Sequence, residues 1–208
     1  GAYAGFDCAH AAGNIKMELH DWNVDFAAWC TYKYMNSSPG GVSGIFVHNK
    51  HGENPETPRL AGWWGHKESE RFQMKKGFIP EPGAAGWQLS NAPVLAMAAH
   101  KASLDMFDEV GMDALVAKGK QLNTFLEQVV MDAQAANDKL EFEIITPEER
   151  GCQLSMLTNE NGKALFDYLT ERDVIADWRE PNVIRLAPVP MYNSFMDVWE
   201  FGELLKEF

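Results

Sequence analysis

The 208-residue sequence predicts a mixed α/β chain with a compact α+β tail, on three observations. Short apolar runs of β character alternate with loops over the first fifty residues. Helical spacing sets in from about residue 91. Two pairs of strand-like runs then alternate with helices up to the end of the chain.

Taken in order, residues 1–10 read as a short buried strand that ends at Asp7 and His10. Residues 11–22 fit a short helix, weakened by Gly13. NVDFAAWC (23–30) has strand character, with Val24, Phe26, Ala28 and Cys30 on one face. After the turn TYKYMNSSPGG, GIFVH (44–48) is a compact β run. The stretch 49–71 is a long loop carrying a WWGH cluster, and loops of that length in compact proteins are usually functional or disordered. A helix follows, with Ser90 and Asn91 as N-cap candidates and Gly111 as its C-cap candidate. A second helix covers 112–135, with Leu115, Leu122, Phe125, Leu126, Val129 and Val130 at helical spacing. EFEIITP and CQLSML are strand-like, 161–171 is helical, DVIADWR and NVIRLAP are strand-like, and 193–207 is an amphipathic helix. The natural boundary lies near 105–115, dividing the chain into 1–110 and 111–208.

Hydrophobic residues make up 46% and charged residues 23%, the usage of an ordinary globular protein rather than a disordered or low-complexity chain. The net charge of −12 argues against nucleic-acid or anionic-membrane binding, since both need a basic footprint. No apolar run approaches the roughly 18 residues that cross a bilayer. Three widely spaced cysteines (Cys8, Cys30 and Cys152) form no disulfide framework, and a reducing, cytoplasmic compartment is expected. The opening GAYAGFDCAHAAGN is apolar, glycine-rich and lacks an initiator Met, so residue 1 is expected to lie within a larger domain.

Several residues are candidates for chemistry. Lys33, between Tyr32 and Tyr34 after a strand, is from local features first a lysine whose stem runs past two tyrosines; the alternative is a lysine whose amine is activated by a half-buried aromatic setting. Asp7, in an apolar stretch, needs a cation or donors if buried. A protonated ring nitrogen of a cofactor would serve, and so would the first turn of a following helix. Arg185 in VIRLAP is either an inward clamp for a carboxylate or a solvent-facing residue of an edge strand. Trp63, Trp64, Gly65 and His66 either stack on a planar ligand or anchor a loop or subunit interface. His10, His20 with Asp21, HNKH and His66 lack any tight ligand spacing, and no metal site is expected.

Taken together, FDCAHAAGN, DFAAWCTYKYMNSSPGG, GWWGH, GWQLSNAP, RGCQL and IRLAPVPMYNSF resemble, in order and spacing, the C-terminal half of the kynureninase family, over almost the whole chain. The TYKYMN lysine motif and the RLAPVPMYNSF tail are specific to that family rather than shared across its fold type. The resemblance implies a pyridoxal-phosphate enzyme of the aspartate-aminotransferase fold type (fold type I). Residues 1–110 would be the later part of the large cofactor-binding domain, whose mainly parallel sheet carries helices on both faces. Residues 111–208 would be the small α+β C-terminal domain. The implied activity is hydrolytic Cβ–Cγ cleavage of L-kynurenine, and of 3-hydroxy-L-kynurenine, in tryptophan degradation and pyridine-nucleotide synthesis.

Residue by residue, the resemblance assigns Lys33 to the bond with the cofactor and Asp7 to the pyridine nitrogen. His10 lies beside the cofactor, and Tyr32 binds its phosphate and relays a proton. Trp63 and Asn91 reach the cofactor site from the neighbouring subunit of a homodimer. Arg185 holds the substrate's α-carboxylate, with Ser90 in the substrate pocket. The family's other phosphate donors lie upstream of anything in this sequence, so the chain alone is expected to be inactive. A cysteine desulfurase or an aminotransferase of the same fold type is the alternative. A desulfurase needs a cysteine on a mobile loop, whereas all three cysteines fall in expected regular structure.

Overall fold

The computed structural model describes residues 1–208, which form two compact units, Gly1–Glu109 and Val110–Phe208. The first unit is built on a three-stranded sheet of order β1-β2-β3. β1 (Gly5–Asp7) runs parallel to β2 (Phe26–Cys30), and β3 (Ser43–Val47) returns antiparallel to β2. Two helical turns, α1 (Asn49–Gly52) and α2 (Glu68–Arg71), and a 3-10 helix (Gly83–Trp87) then lead to α3 (Val94–Val110).

Four local expectations are corrected here. Residues 11–22 form successive turns rather than a helix. Gly13 sits at φ +79°, and a Cβ there would stand 2.7 Å from the Tyr34 carbonyl, so the turn packs directly on the Lys33 loop. β1 is exposed along its length, because its outer edge has no partner strand. On β2 the buried position is Ala27, while Phe26 and Ala28 are exposed. Phe26, Ala28, Ile45 and Val47 share the face that lines an open cavity of about 340 Å³. The alternation was legible, but not which face is covered. α3 starts at Val94, with the Pro93 carbonyl accepting from Met97 N (2.9 Å), so neither Ser90 nor Asn91 caps it.

One ion cluster ties the start of this unit to α1. The Asp25 carboxylate, 8% exposed, accepts from Ala4 N, His51 Nε2 and Lys50 Nζ, each at 2.7 Å. The His51 bond, followed by those from Lys50 and Ala4, holds the Asp25 carboxyl well below its ordinary value of 3.8. A depressed native value means that the stabilisation is complete above about pH 4 and is lost as pH falls below it. Asp25→Asn is therefore expected to shallow the acid limb of the stability–pH curve below pH ~4. An acid limb identical to that of the parent would show that Asp25 carries none of it.

The second unit follows the sequence closely. α4 (Met112–Ala136) and α6 (Phe195–Glu207) pack against each other. With α5 (Gly162–Thr170) they cover an antiparallel sheet of order β4-β5-β7-β6. Its strands are β4 (Phe142–Ile144), β5 (Leu154–Thr158), β6 (Asp177–Arg179) and β7 (Val183–Leu186). Leu122, Val130, Leu154, Met156, Leu169, Ile184 and Leu205 are fully buried in one core. The helical period that marks Leu122, Leu126, Val129 and Val130 in sequence is the face that this core covers. Ser194 and Asp197 close a capping box on α6.

Candidate active site

In the first unit the two parallel strands end side by side, with Asp7 registered opposite Ala28. In α/β sheets, ligands bind outside the carboxyl ends of such strands. Asp7 closes β1 and His10 follows it; Cys30 closes β2, and Tyr32 and Lys33 follow it. The fold thus brings Asp7, His10, Tyr32 and Lys33 to one edge of the sheet. The His10 ring meets Tyr34 edge-on at 6.2 Å, joining the two loops.

The Lys33 loop is tightly held although its lysine is not. Thr31 and Ser37, both buried, share a hydroxyl–hydroxyl hydrogen bond, and Thr31 also donates to the Val42 carbonyl. Ser103 of α3 donates to the Met35 carbonyl. Asn36 (φ 55°) and Ser38 (φ 77°) take left-handed conformations that the sharp turn requires. Against the half-buried setting expected for it, Lys33 is exposed, and so is Tyr32 (52%). The rigid loop with a solvent-facing amine replaces burial as the organising feature.

Asp7 is exposed as well, and its Oδ1 accepts from Ala9 N at 2.9 Å, closing a local turn in place of the helix cap weighed above. The Tyr32 hydroxyl, hydrogen-bonded to the Cys30 side chain, is pushed above the usual phenol range.

A second group forms in the long loop. A Cβ on Gly62 would stand 2.3 Å from Leu89 Cα, and one on Gly65 would stand 2.8 Å from the Gln88 and Gly86 carbonyls. The two glycines of GWWGH thus let that segment lie directly on residues 86–89, setting Trp63 next to the stretch that carries Ser90 and Asn91. All three are exposed, Trp63 at 43%.

Arg185 lies in the second unit on β7, an interior strand flanked by β5 and β6, which excludes the edge-strand reading. Its Nε (2.7 Å) and Nη2 both donate to Asp177 Oδ2, directly opposite on β6. Arg179 Nη2 reaches the same oxygen at 3.1 Å. Asp177 was not singled out in the sequence; pairing DWR with VIRL as adjacent antiparallel strands would have found it. Other parts of the motifs are structural. Arg150 of RGCQL donates to Asn123 Oδ1 (2.5 Å), whose amide holds the Cys152 carbonyl (2.8 Å). Asn193 of the tail accepts from Val189 N at 2.8 Å.

Cys8 and Cys152 lie just outside strands but are buried (6% and 2%), and burial pushes the Cys152 thiol up to about 11. No three His, Cys, Asp or Glu side chains converge to hold a metal ion. No helix is long and apolar enough to cross a membrane.

The carboxyl end of β1 presents the exposed Asp7, and the loop after β2 presents the exposed Lys33. The fold is that of the fold type I pyridoxal-phosphate enzymes. The chain superimposes on the lyase C-DES, solved as a mutant with glycine covalently linked to its PLP cofactor. That match has a TM-score of 0.74 and 16% identity, over 95% of this chain and 50% of that one. An alanine–glyoxylate aminotransferase from Nostoc sp. matches at TM-score 0.68 and 14% identity, over 100% and 54%. At such identities the likeness is one of fold.

Within that class the sequence is similar to the kynureninases. Residues 115–205 match the kynureninase C-terminal domain. The whole chain is 57% identical to a kynureninase from Flavobacterium johnsoniae, of which it covers 49%. The chain thus spans about half the length of the curated relatives it matches.

Proposed function

We propose that this chain carries the lysine half of a kynureninase active site, for pyridoxal-phosphate-dependent hydrolysis of L-kynurenine, and of its 3-hydroxy form, to the anthranilate and L-alanine. The observation that carries the reading is the placement of Lys33 and Asp7 at adjoining parallel strand ends in a chain 57% identical to a kynureninase. The side chains fit the cofactor. An exposed primary amine can condense with an aldehyde, an exposed carboxylate can pair with a ring nitrogen, and a protonated Tyr32 can donate to a phosphate.

When bound, pyridoxal phosphate supplies an electron sink for carbanions adjacent to the substrate's amino group. Asp7 would pair with the protonated ring nitrogen, and His10 would help to hold the cofactor. Arg185 would hold the substrate through its α-carboxylate. Once released as a free amine, Lys33 takes the α-proton and later returns one. Water is added across the Cβ–Cγ bond: the γ-carbonyl carbon gains the hydroxyl and leaves as the carboxyl of anthranilate, and the β-carbon gains a proton and becomes the methyl of alanine. Supplied with cofactor and L-kynurenine, the full-length protein is expected to release anthranilate and L-alanine one for one. The 208 residues alone are expected to release neither, because the relatives that carry the activity are about twice as long and the sheet leaves Tyr3, Phe6 and Phe26 exposed. Formation of a keto acid without anthranilate would point to aminotransfer instead. A desulfurase is disfavoured by the burial of Cys8 and Cys152 and by the Cys30–Tyr32 contact.

The proposal includes a homodimer in which Trp63 and Asn91 serve the neighbouring subunit's site, and a cytoplasmic location. It is supported by a concentration of exposed apolar side chains around these residues: Leu60 75%, Phe72 77%, Met74 79%, Val94 79% and Leu95 87%. Subunit exchange checks it. A Lys33→Ala protein and a Trp63→Ala protein, each nearly inactive, are expected to regain up to about a quarter of parental activity when mixed, since mixed dimers then hold one intact site. Absence of any gain after demonstrated exchange would put both residues in one subunit's site.

A further inference from the structure

The loop stretch 49–71 that contains Trp63 ends in a residue that neither the resemblance nor the chemistry above uses. Arg71, at the end of α2, is 7% exposed, and no carboxylate pairs with it. Its charge is satisfied by carbonyls of the tryptophan loop instead. Nη2 donates to Trp64 O (2.8 Å) and His66 O (3.0 Å), and Nε also donates to His66 O (3.3 Å). The guanidinium lies over the Trp64 ring at 4.4 Å. The next residue, Phe72, meets the Trp63 ring edge-on at 5.4 Å and 82°, while itself 77% exposed.

Burying a guanidinium costs several kcal/mol unless its donors are met. Here they are met by the backbone on either side of Gly65, so the loop and the cation are folded as one piece. The planar fork matters: an ammonium keeps the charge but lacks the fixed, flat group that spans both carbonyls while stacking on the indole. The loop is closed behind Arg71 by Lys67 N to Ile79 O (2.8 Å) and by Glu81 N to Gly65 O (2.8 Å). Trp64 is thereby anchored, and its neighbour Trp63 is held outward, with Phe72 fixing one edge of its ring.

We infer that Arg71 and Phe72 are positioning residues that set the indole of Trp63 for contact with the cofactor. This rests on the reading above in which Trp63 reaches the cofactor. The test measures the dissociation constant of pyridoxal phosphate and the energy transfer from tryptophan to bound cofactor in the holoprotein, for Arg71→Lys, Phe72→Ala and Trp63→Phe, and for each of the first two combined with Trp63→Phe. Phe72→Ala removes an exposed side chain and is expected to leave the fold intact, so the test does not depend on the buried arginine. Each of the three single variants is expected to weaken the cofactor by about fivefold or more, and the combinations to be no weaker than Trp63→Phe alone, the sign of residues that act through one another. Fully additive losses would show that Arg71 and Phe72 serve only the loop's stability, and would overturn the inference. A Trp63→Phe protein with parental cofactor affinity and energy transfer reduced only by the missing indole would instead overturn the reading of Trp63, and this inference with it.

Discussion

Lys33→Ala is expected to lower turnover of L-kynurenine by at least about 10⁴-fold, because in the proposed function one amine both bonds the cofactor and carries the α-proton. The loss is expected without loss of fold. Lys33 is exposed, its loop is held by Thr31, Ser37 and Ser103, and exposed substitutions away from such contacts move stability by only about 0.5 kcal/mol. Circular dichroism and the thermal midpoint are therefore expected to match the parent while activity disappears. An added primary amine is expected to restore a small part of the rate by replacing the missing base. Turnover within tenfold of the parent would remove Lys33 from the chemistry.

Arg185→Lys is expected to raise KM for L-kynurenine far more than it lowers kcat, with cofactor affinity unchanged. The charge is kept but the planar fork is lost, at a cost on the order of 1–3 kcal/mol for a charge-assisted pair. The geometry sharpens this expectation. Asp177 holds Arg185 by Nε and Nη2, which fixes the guanidinium plane. A lysine at this position would still face Asp177 but would lack that fixed plane. A KM equal to that of the parent would take Arg185 out of the substrate site, and a weakened cofactor would place it in the wrong one.

How much of this was legible in the sequence differs between the two units. In the second, helical period and strand alternation agree with one buried core, so α4, α5, α6 and the four strands fall close to where the pattern placed them. In the first, the decisive contacts join residues far apart: Ala4 with Asp25, Asp25 with His51, and Met35 with Ser103. No local pattern announces such pairs, and the helix expected over 11–22 gave way to turns that pack on the Lys33 loop. The alternation in β2 was visible, but which face is covered depends on the rest of the unit. The candidate lysine was found by its motif and misjudged in its surroundings. Periodicity does not report whether a loop residue between two tyrosines is buried. Arg71 escaped notice because a buried arginine satisfied by carbonyls leaves no charge pattern in the sequence.

The most direct measurement is the position of the cofactor bond itself. The holoprotein is treated with borohydride, digested, and its peptides are mapped by mass spectrometry. A single pyridoxyl phosphate addition is expected, on the lysine of the TYKYMN peptide at Lys33, and none when the Lys33→Ala variant is taken through the same treatment. A pyridoxyl group on any other lysine, or none on a protein that still turns over L-kynurenine, would contradict that assignment.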